Sequence, residues 1–186
     1  MGNFHGSTLV TLRNSDPPAP TLALAIGLAL VAAVGGSARL KWPNDLLIDG
    51  AKVAGVLLER QGDQIVVGIG INVAEAPLVA GRSVDCLGRH PPAWLGAGQD
   101  LLFVLSERVS EAVPASVAAW RTEPLPATVA RWEQAALPVG TPLSIHAGDG
   151  AMLEGRFAGL TGEGALRLAL PDGAIRVIHA GDVFLI

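Results

Sequence analysis

The sequence predicts an α+β fold: a mixed, mainly antiparallel sheet with helices packed on it, followed by a small C-terminal β barrel. Three observations carry this prediction. The chain opens with strand, helix and strand patterns in turn, short apolar runs joined by hairpin turns follow, and past residue 137 only short strands separated by Gly and Asp turns remain. Residues 1–137 are accordingly read as a core and 138–186 as a separate β unit. With 186 residues, half of them hydrophobic and 16% charged, the chain can bury a real core and does not have a disordered composition.

STLVTL (7–12) reads as a buried strand, ended by the turn-rich NSDPPAP (14–20). TLALAIGLALVAAVGG (21–36) follows. Its apolar run is shorter than the ~20 residues that span a bilayer, and only Arg13 precedes it, so it reads as a core helix and not as a membrane or export segment. Thr21 is placed to cap that helix and Gly35–Gly36 to end it. Three strand-like runs come next, ARLKW (38–42), VAGVLLE (53–59) and QIVVGIGINV (64–73), with hairpin chemistry in DG (49–50) and QGD (61–63).

Residues 75–98 are rich in Pro and Gly and read as loop. Leu101, Leu102, Leu105, Val109 and Val113 then recur at helical spacing over 99–113, and Pro114 is expected to interrupt or bend that helix. A second helix fits 125–136, with Val129, Trp132 and Ala136 on one side. The runs TPLSIHA, AMLEGRFAGL, GALRLAL, AIRVIHA and DVFLI complete the chain as a five-stranded barrel.

A net charge of −4 and a pI near 5.5 give no general reason to bind nucleic acid, and no basic helix-turn-helix stretch is present. Cys86 is the single cysteine, which excludes an intrachain disulfide, suits a cytoplasmic location and leaves it a small loop or core residue. His146 and His179 read as strand residues and not as metal ligands, since no Cys or Asp–His cluster surrounds them.

The most informative local feature is the distribution of lysine. Lys41 and Lys52 are the only two, both within KWPNDLLIDGAKVAGVLLE (41–59), while all other basic residues are arginine. Retention at two such positions suggests a need for a compact, flexible point charge that a planar guanidinium cannot meet, and such a charge suits an anionic ligand such as carboxylate or phosphate. Pro43 stiffens the exit from the first strand, so Asn44 and Asp45 are expected on a turn with their polar tips toward a ligand. Lys52 starts the next strand, and the hairpin should bring both amines to one side of the sheet. Strict alternation would put Lys52, Ala54, Val56 and Leu58 on one face, with Val53 and Gly55 on the other. GIGIN (68–72) is not a dinucleotide fingerprint, because Val73 stands where the third glycine belongs. Its two glycines lie on one face and leave room for a flat ligand, with Asn72 at the end to read a ribose or phosphate.

KWPNDLLIDGAKVAGVLLE followed by GIGIN closely resembles the biotin–protein ligases, and GNFHGSTLVTL (2–12) looks like a strand of the same family. The resemblance implies a truncated class II synthetase-like core plus an SH3-like C-terminal barrel. It also implies ATP-dependent formation of biotinyl-5′-AMP, then transfer of biotin to a lysine of a biotin carboxyl carrier domain of a biotin-dependent carboxylase. ATP and biotin would be the substrates, with magnesium. By the same resemblance Lys52 would contact the biotin carboxyl end and the phosphoryl group, and Gly55 would permit close approach. Lys41 would support the nucleotide phosphates, Asn44 and Asp45 the adenylate region or magnesium, and Asn72 the nucleotide pocket. Asp45 is also a candidate acceptor for the incoming lysine's proton.

The family carries, upstream of this strand, a Ser/Thr segment for the biotin ureido ring and a Gly-Arg-rich loop over biotin and adenylate. Residues 1–186 contain neither, and Arg82, Arg89 and Arg121 lie in unrelated contexts. The chain is therefore expected to be a fragment of an ordinary ligase, with poor biotin affinity and little adenylation as it stands. Two other readings stay open: a short homologue that binds nucleotide or docks a carrier domain without catalysis, and a chain completed by a partner. Exposed apolar sheet would favour a homodimer. Lipoate ligases share the broader fold without KWPND and form a weaker alternative.

Overall fold

The computed structural model describes residues 2–147 and 152–186. Its first half is a five-stranded sheet of β1 (Phe4–Thr11), β2 (Arg39–Lys41), β3 (Asp45–Ile48), β4 (Ala51–Gln61) and β5 (Gln64–Ile71). The order is β1-β5-β4-β3-β2, and every neighbouring pair is antiparallel. Helices α1 (Leu22–Val34), α2 (Leu101–Thr122) and α3 (Leu125–Ala135) cover one face. The α+β architecture follows the expectation from sequence.

The uniformly apolar α1 makes sense in its place, for it packs against β2, β3 and β4 as well as against α2 and α3. Leu22, Ile26 and Leu30 are completely buried, as a helix without a polar face must be. Gly35 ends it, as expected, at a positive φ of 71°, with its N–H returned to the Val31 carbonyl. Arg108 of α2 donates to the Ala32 and Ala33 carbonyls at the same end, satisfying acceptors that the helix leaves open. Thr21 differs from its expected part. Its hydroxyl makes no cap and instead donates to the Pro18 carbonyl while accepting from the Trp120 indole.

Both hairpin turns form where expected. Asp49 and Gly50 take positive φ values of 49° and 79° between β3 and β4, the geometry a two-residue hairpin prefers, and Gly62 turns β4 into β5. Other expectations are corrected. STLVTL is not a buried strand: it belongs to the edge strand β1, where only Val10 is buried. Asp45 does not sit on a turn but opens β3, a strand that the sequence reading passed over. Pro114 does not break α2, which runs through it. The proline is exposed, so the carbonyl of Ser110 that it leaves unpaired faces water, while Val109, Val113 and Trp120 hold the helix to the core.

The second half is another five-stranded antiparallel sheet: β6 (Pro142–Ala147), β7 (Met152–Leu160), β8 (Leu166–Ala169), β9 (Ile175–Ile178) and β10 (Gly181–Leu185), in the order β10-β6-β7-β8-β9. These strands fall on the five expected runs and give the SH3-like unit. Leu143, Ile145, Phe157, Leu166 and Leu168 form its buried side. It is fastened to the first half through Trp132, edge-on to Phe157 at 6.4 Å, and through the Trp42 indole N–H, which donates to the Gly164 carbonyl. Among the described residues no helix is long and apolar enough to cross a membrane.

Candidate functional site

The helix-free face of the first sheet carries a cleft of about 680 Å³. Register explains its shape. His5, Gly70 and Gly55 stand opposite one another across β1, β5 and β4, and Ser7, Gly68 and Leu57 form the next row. Three glycines thus occupy positions where side chains would fill the cleft. A Cβ placed on Gly68 or Gly70 would find nothing nearer than 3.7 Å, so what these residues provide is open floor. Both glycines of GIGIN lie on one face beneath this space, as their spacing predicts. Asn44, Lys52 and Asn72 line one side, and Pro77, Val79, Arg82 and Val84 of the following loop overhang it.

Lys52 reaches the cleft by an irregularity that alternation does not foresee. Ala54 pairs with Leu46, but Lys52 pairs with the next residue, Leu47, which leaves Val53 as the extra residue of a β-bulge. The bulge resets the pleat. Lys52 therefore shares its face with Gly55, and not with Ala54 and Val56, which are buried in the core. A Cβ on Gly55 would lie 2.9 Å from the Lys52 amine. The backbone of Lys52 is also turned outward: its N–H donates to the Ser83 carbonyl and its carbonyl accepts from Asp85 N–H, both at 2.9 Å.

Asp45, directly across from both Lys41 and Gly55, holds the two amines together. Its Oδ2 lies 2.8 Å from Lys41 Nζ, and its Oδ1 forms an ion pair with Lys52. The carboxylate is 5% exposed. Burial acts to raise its pKa, but the two ammoniums, Lys41 foremost, overcome that and hold it below the ordinary carboxylate range. The expected meeting of the two lysines on one side of the sheet is thus realised through a shared carboxylate. Lys41 itself does not line the cleft. Its amine donates to the Val183 carbonyl of β10 at 2.7 Å and faces a smaller neighbouring cavity, whose wall Lys52 and Arg82 share with the cleft.

The two asparagines are tied down at one end. Asn44 donates its side-chain amide to the Val56 carbonyl at 2.5 Å, and Asn72 donates to the Asp85 carbonyl at 3.1 Å. Each is oriented at the cleft wall by that bond. Arg82 is the residue that sequence reasoning missed, because its loop context looks unrelated to the lysine segment. In the fold it lines the cleft beside Lys52, with its guanidinium over the Phe184 ring at 5.0 Å and 3.5 Å from Asp182. No spacing rule links it to Lys52, and only the return of the loop across β4 brings them together. Arg89 is held outside the cleft on Asp85, whose carboxyl is kept low first by the His90 ring and then by the Cys86 N–H and Arg89. Cys86 is buried with its thiol toward the Ala74 carbonyl. His146 is a strand residue stacked beside Phe184, while His179 lies beyond β9. Among the described residues no three His, Cys, Asp or Glu side chains come together as a metal site.

The chemistry available is anion recognition: one accessible ammonium, braced by a buried carboxylate, above a flat glycine floor. Comparison with known proteins identifies relatives over the length of the chain. The description "Biotin/lipoate A/B protein ligase family" matches residues 8–73, and "Biotin protein ligase C terminal domain" matches residues 144–186. The biotin–[acetyl-CoA-carboxylase] ligase of Paracoccus denitrificans is 33% identical over 98% of this chain and 80% of its own length. A Mycobacterium tuberculosis protein of the same name is 44% identical over 30% of this chain and 24% of its own. In fold, the chain resembles a biotin protein ligase from Aquifex aeolicus in complex with biotin and ATP, with a TM-score of 0.82 and 23% identity over 100% of this chain and 79% of that one.

Proposed function

Because the chain belongs to the biotin–protein ligase family, we propose that its glycine-floored cleft is where biotin and ATP react, with Lys52 as the residue that carries the step. It is an enzyme of the ligase class by that membership. In the first step the biotin carboxylate attacks the α-phosphorus of ATP, an oxygen–phosphorus bond forms, and pyrophosphate leaves. In the second, a carrier lysine attacks the mixed anhydride, an amide forms, and AMP leaves. The observation that supports this reading is the Lys52 ammonium beside Gly55, where two anions can approach the same charge. Such a charge stabilises the crowded phosphoryl oxygens more than it stabilises the separate substrates.

Gly55 gives the substrates room, and Asn44 and Asn72 are assigned to the nucleotide side of the cleft. Asp45 is a weak base with both oxygens ion-paired, so we assign it to holding the lysines and not to taking the carrier lysine's proton. Magnesium would enter as the counter-ion of the triphosphate. The C-terminal match favours biotin over lipoate as substrate, and the name of the Paracoccus denitrificans relative favours a biotin carboxyl carrier domain of a carboxylase as acceptor. The exposed Leu9 on the edge strand β1, with Val66 opposite it on β5, supports a homodimer through that edge, checked by sedimentation over a range of concentrations.

The test is biotin-dependent ATP–pyrophosphate exchange by the purified chain, with Lys52→Ala as comparison. Exchange is expected to be slow for residues 1–186 alone, because no Gly-Arg-rich segment in them can cover the cleft, and Lys52→Ala should lower it by about 100-fold. Nucleotide binding without any exchange would point instead to a non-catalytic homologue. Carrier binding unchanged by Lys52→Ala, again without exchange, would point to a docking module.

A further inference from the structure

Lys41 does not line the cleft, yet it contacts the carboxylate that holds Lys52. Its side chain is 11% exposed, and its amine is fixed between Asp45 Oδ2 at 2.8 Å and the Val183 carbonyl at 2.7 Å. Lys52 takes the other carboxylate oxygen and is 31% exposed toward the cleft. Two positive charges and one negative charge therefore share one confined spot. Had Asp45 and Lys52 been alone, the pair would be neutral, and the carboxylate would compete with every incoming anion for the amine. A second ammonium on the buried side meets the carboxylate's charge and leaves the surplus positive charge on the partner that faces the ligand.

We propose that Lys41 is a charge-balancing positioning residue: it neutralises Asp45 from behind, so that Lys52 presents a net positive charge to anionic substrates that Lys41 never touches. This rests on the cleft being the biotin and ATP site. The C-terminal sheet takes part, because the Val183 carbonyl holds the Lys41 amine on the far side of Asp45 and away from the cleft.

The experiment measures pyrophosphate affinity by calorimetric titration of the purified 186-residue chain and of Lys41→Met, Lys41→Arg and the double variant Lys41→Met with Asp45→Asn, with folding checked by circular dichroism. Lys41→Met should weaken pyrophosphate binding by about tenfold, and Lys41→Arg should keep it within about threefold of wild type. The double variant restores the net charge by removing the carboxylate, so it should recover most of the loss. A merely structural strut predicts the reverse order, with the double variant no better than the single one. Unchanged affinity in Lys41→Met, or a double variant no better than Lys41→Met, overturns the proposal while leaving the site reading intact. Absence of binding by the wild-type chain overturns the site reading, and this inference with it. Should Lys41→Met fail to fold, Asp45→Asn alone decides: affinity equal to or above wild type supports charge balance, and a tenfold loss overturns it.

Discussion

Gly55 sits where a methyl group would meet the Lys52 amine at 2.9 Å, and that amine is the movable end of a flexible side chain. Gly55→Ala is therefore a displacement experiment and not a packing one. We expect thermal stability to change by less than about 1 kcal/mol, because the lysine can swing aside. Biotin and ATP affinity should fall by about tenfold, because the amine no longer rests between Asp45 and the floor. A large loss of stability with unchanged affinity would contradict this assignment. Asp45 offers a second test through pH. Its folded pKa is lowered, so the stability it contributes is complete above the unfolded value of ~3.9 and is lost as pH falls through the folded one. Urea unfolding should show wild type more stable than Asp45→Asn at pH 7, with the gap closing below pH ~4. A gap independent of pH would sink that account. At this scale the sequence was informative where chemistry is rare. Two lysines in an arginine-using chain pointed to the segment that lines the candidate site, whereas Arg82, one arginine among many, carried no such signal.

Among the elements, α2 is the one in which a local rule and the tertiary structure disagree. Pro114 lies exposed within a continuous 22-residue helix. Replacing it with alanine restores a donor to the Ser110 carbonyl and removes the ring from that turn, so Pro114→Ala should stabilise the protein by about 1–2 kcal/mol in thermal or urea unfolding. A destabilised variant would mean that the helix needs its bend. Hairpin turns and α3 were legible because their signals are local: Asp-Gly and Gly at turns, and apolar residues at helical spacing. Strand β3 was not, since Asp45–Ile48 is short and enclosed by turn residues on both sides. Burial of β1 was misjudged for another reason. An apolar run states that a strand can be covered, but strand order decides whether it is, and order arises from pairing between distant segments. The Val53 bulge was equally hidden, because an unpaired residue is defined only by the strand opposite.

Across the whole molecule, the two halves meet at contacts made by residues far apart in sequence: Lys41 with Val183, Trp42 with Gly164, Glu133 with the Leu160 N–H. None could be read from the chain, although the five strands of the second sheet could. Trp42→Phe keeps one aromatic ring buried but removes the indole donor and part of the ring volume, leaving the Gly164 carbonyl without that partner. The expected cost is about 1–2 kcal/mol of unfolding free energy, and no change would mean that water replaces the indole.

The bulge that turns Lys52 toward the cleft also gives its two peptide groups to the returning loop, one to Ser83 and one to Asp85. The overhang that carries Arg82 is thus sewn to the peptide of the very residue it shelters. Any lifting of that overhang must first release the Lys52 amide to solvent. Deuterium uptake at this single amide becomes a gauge of how often the overhang opens, and bound ligand should slow it before any other probe in the protein responds.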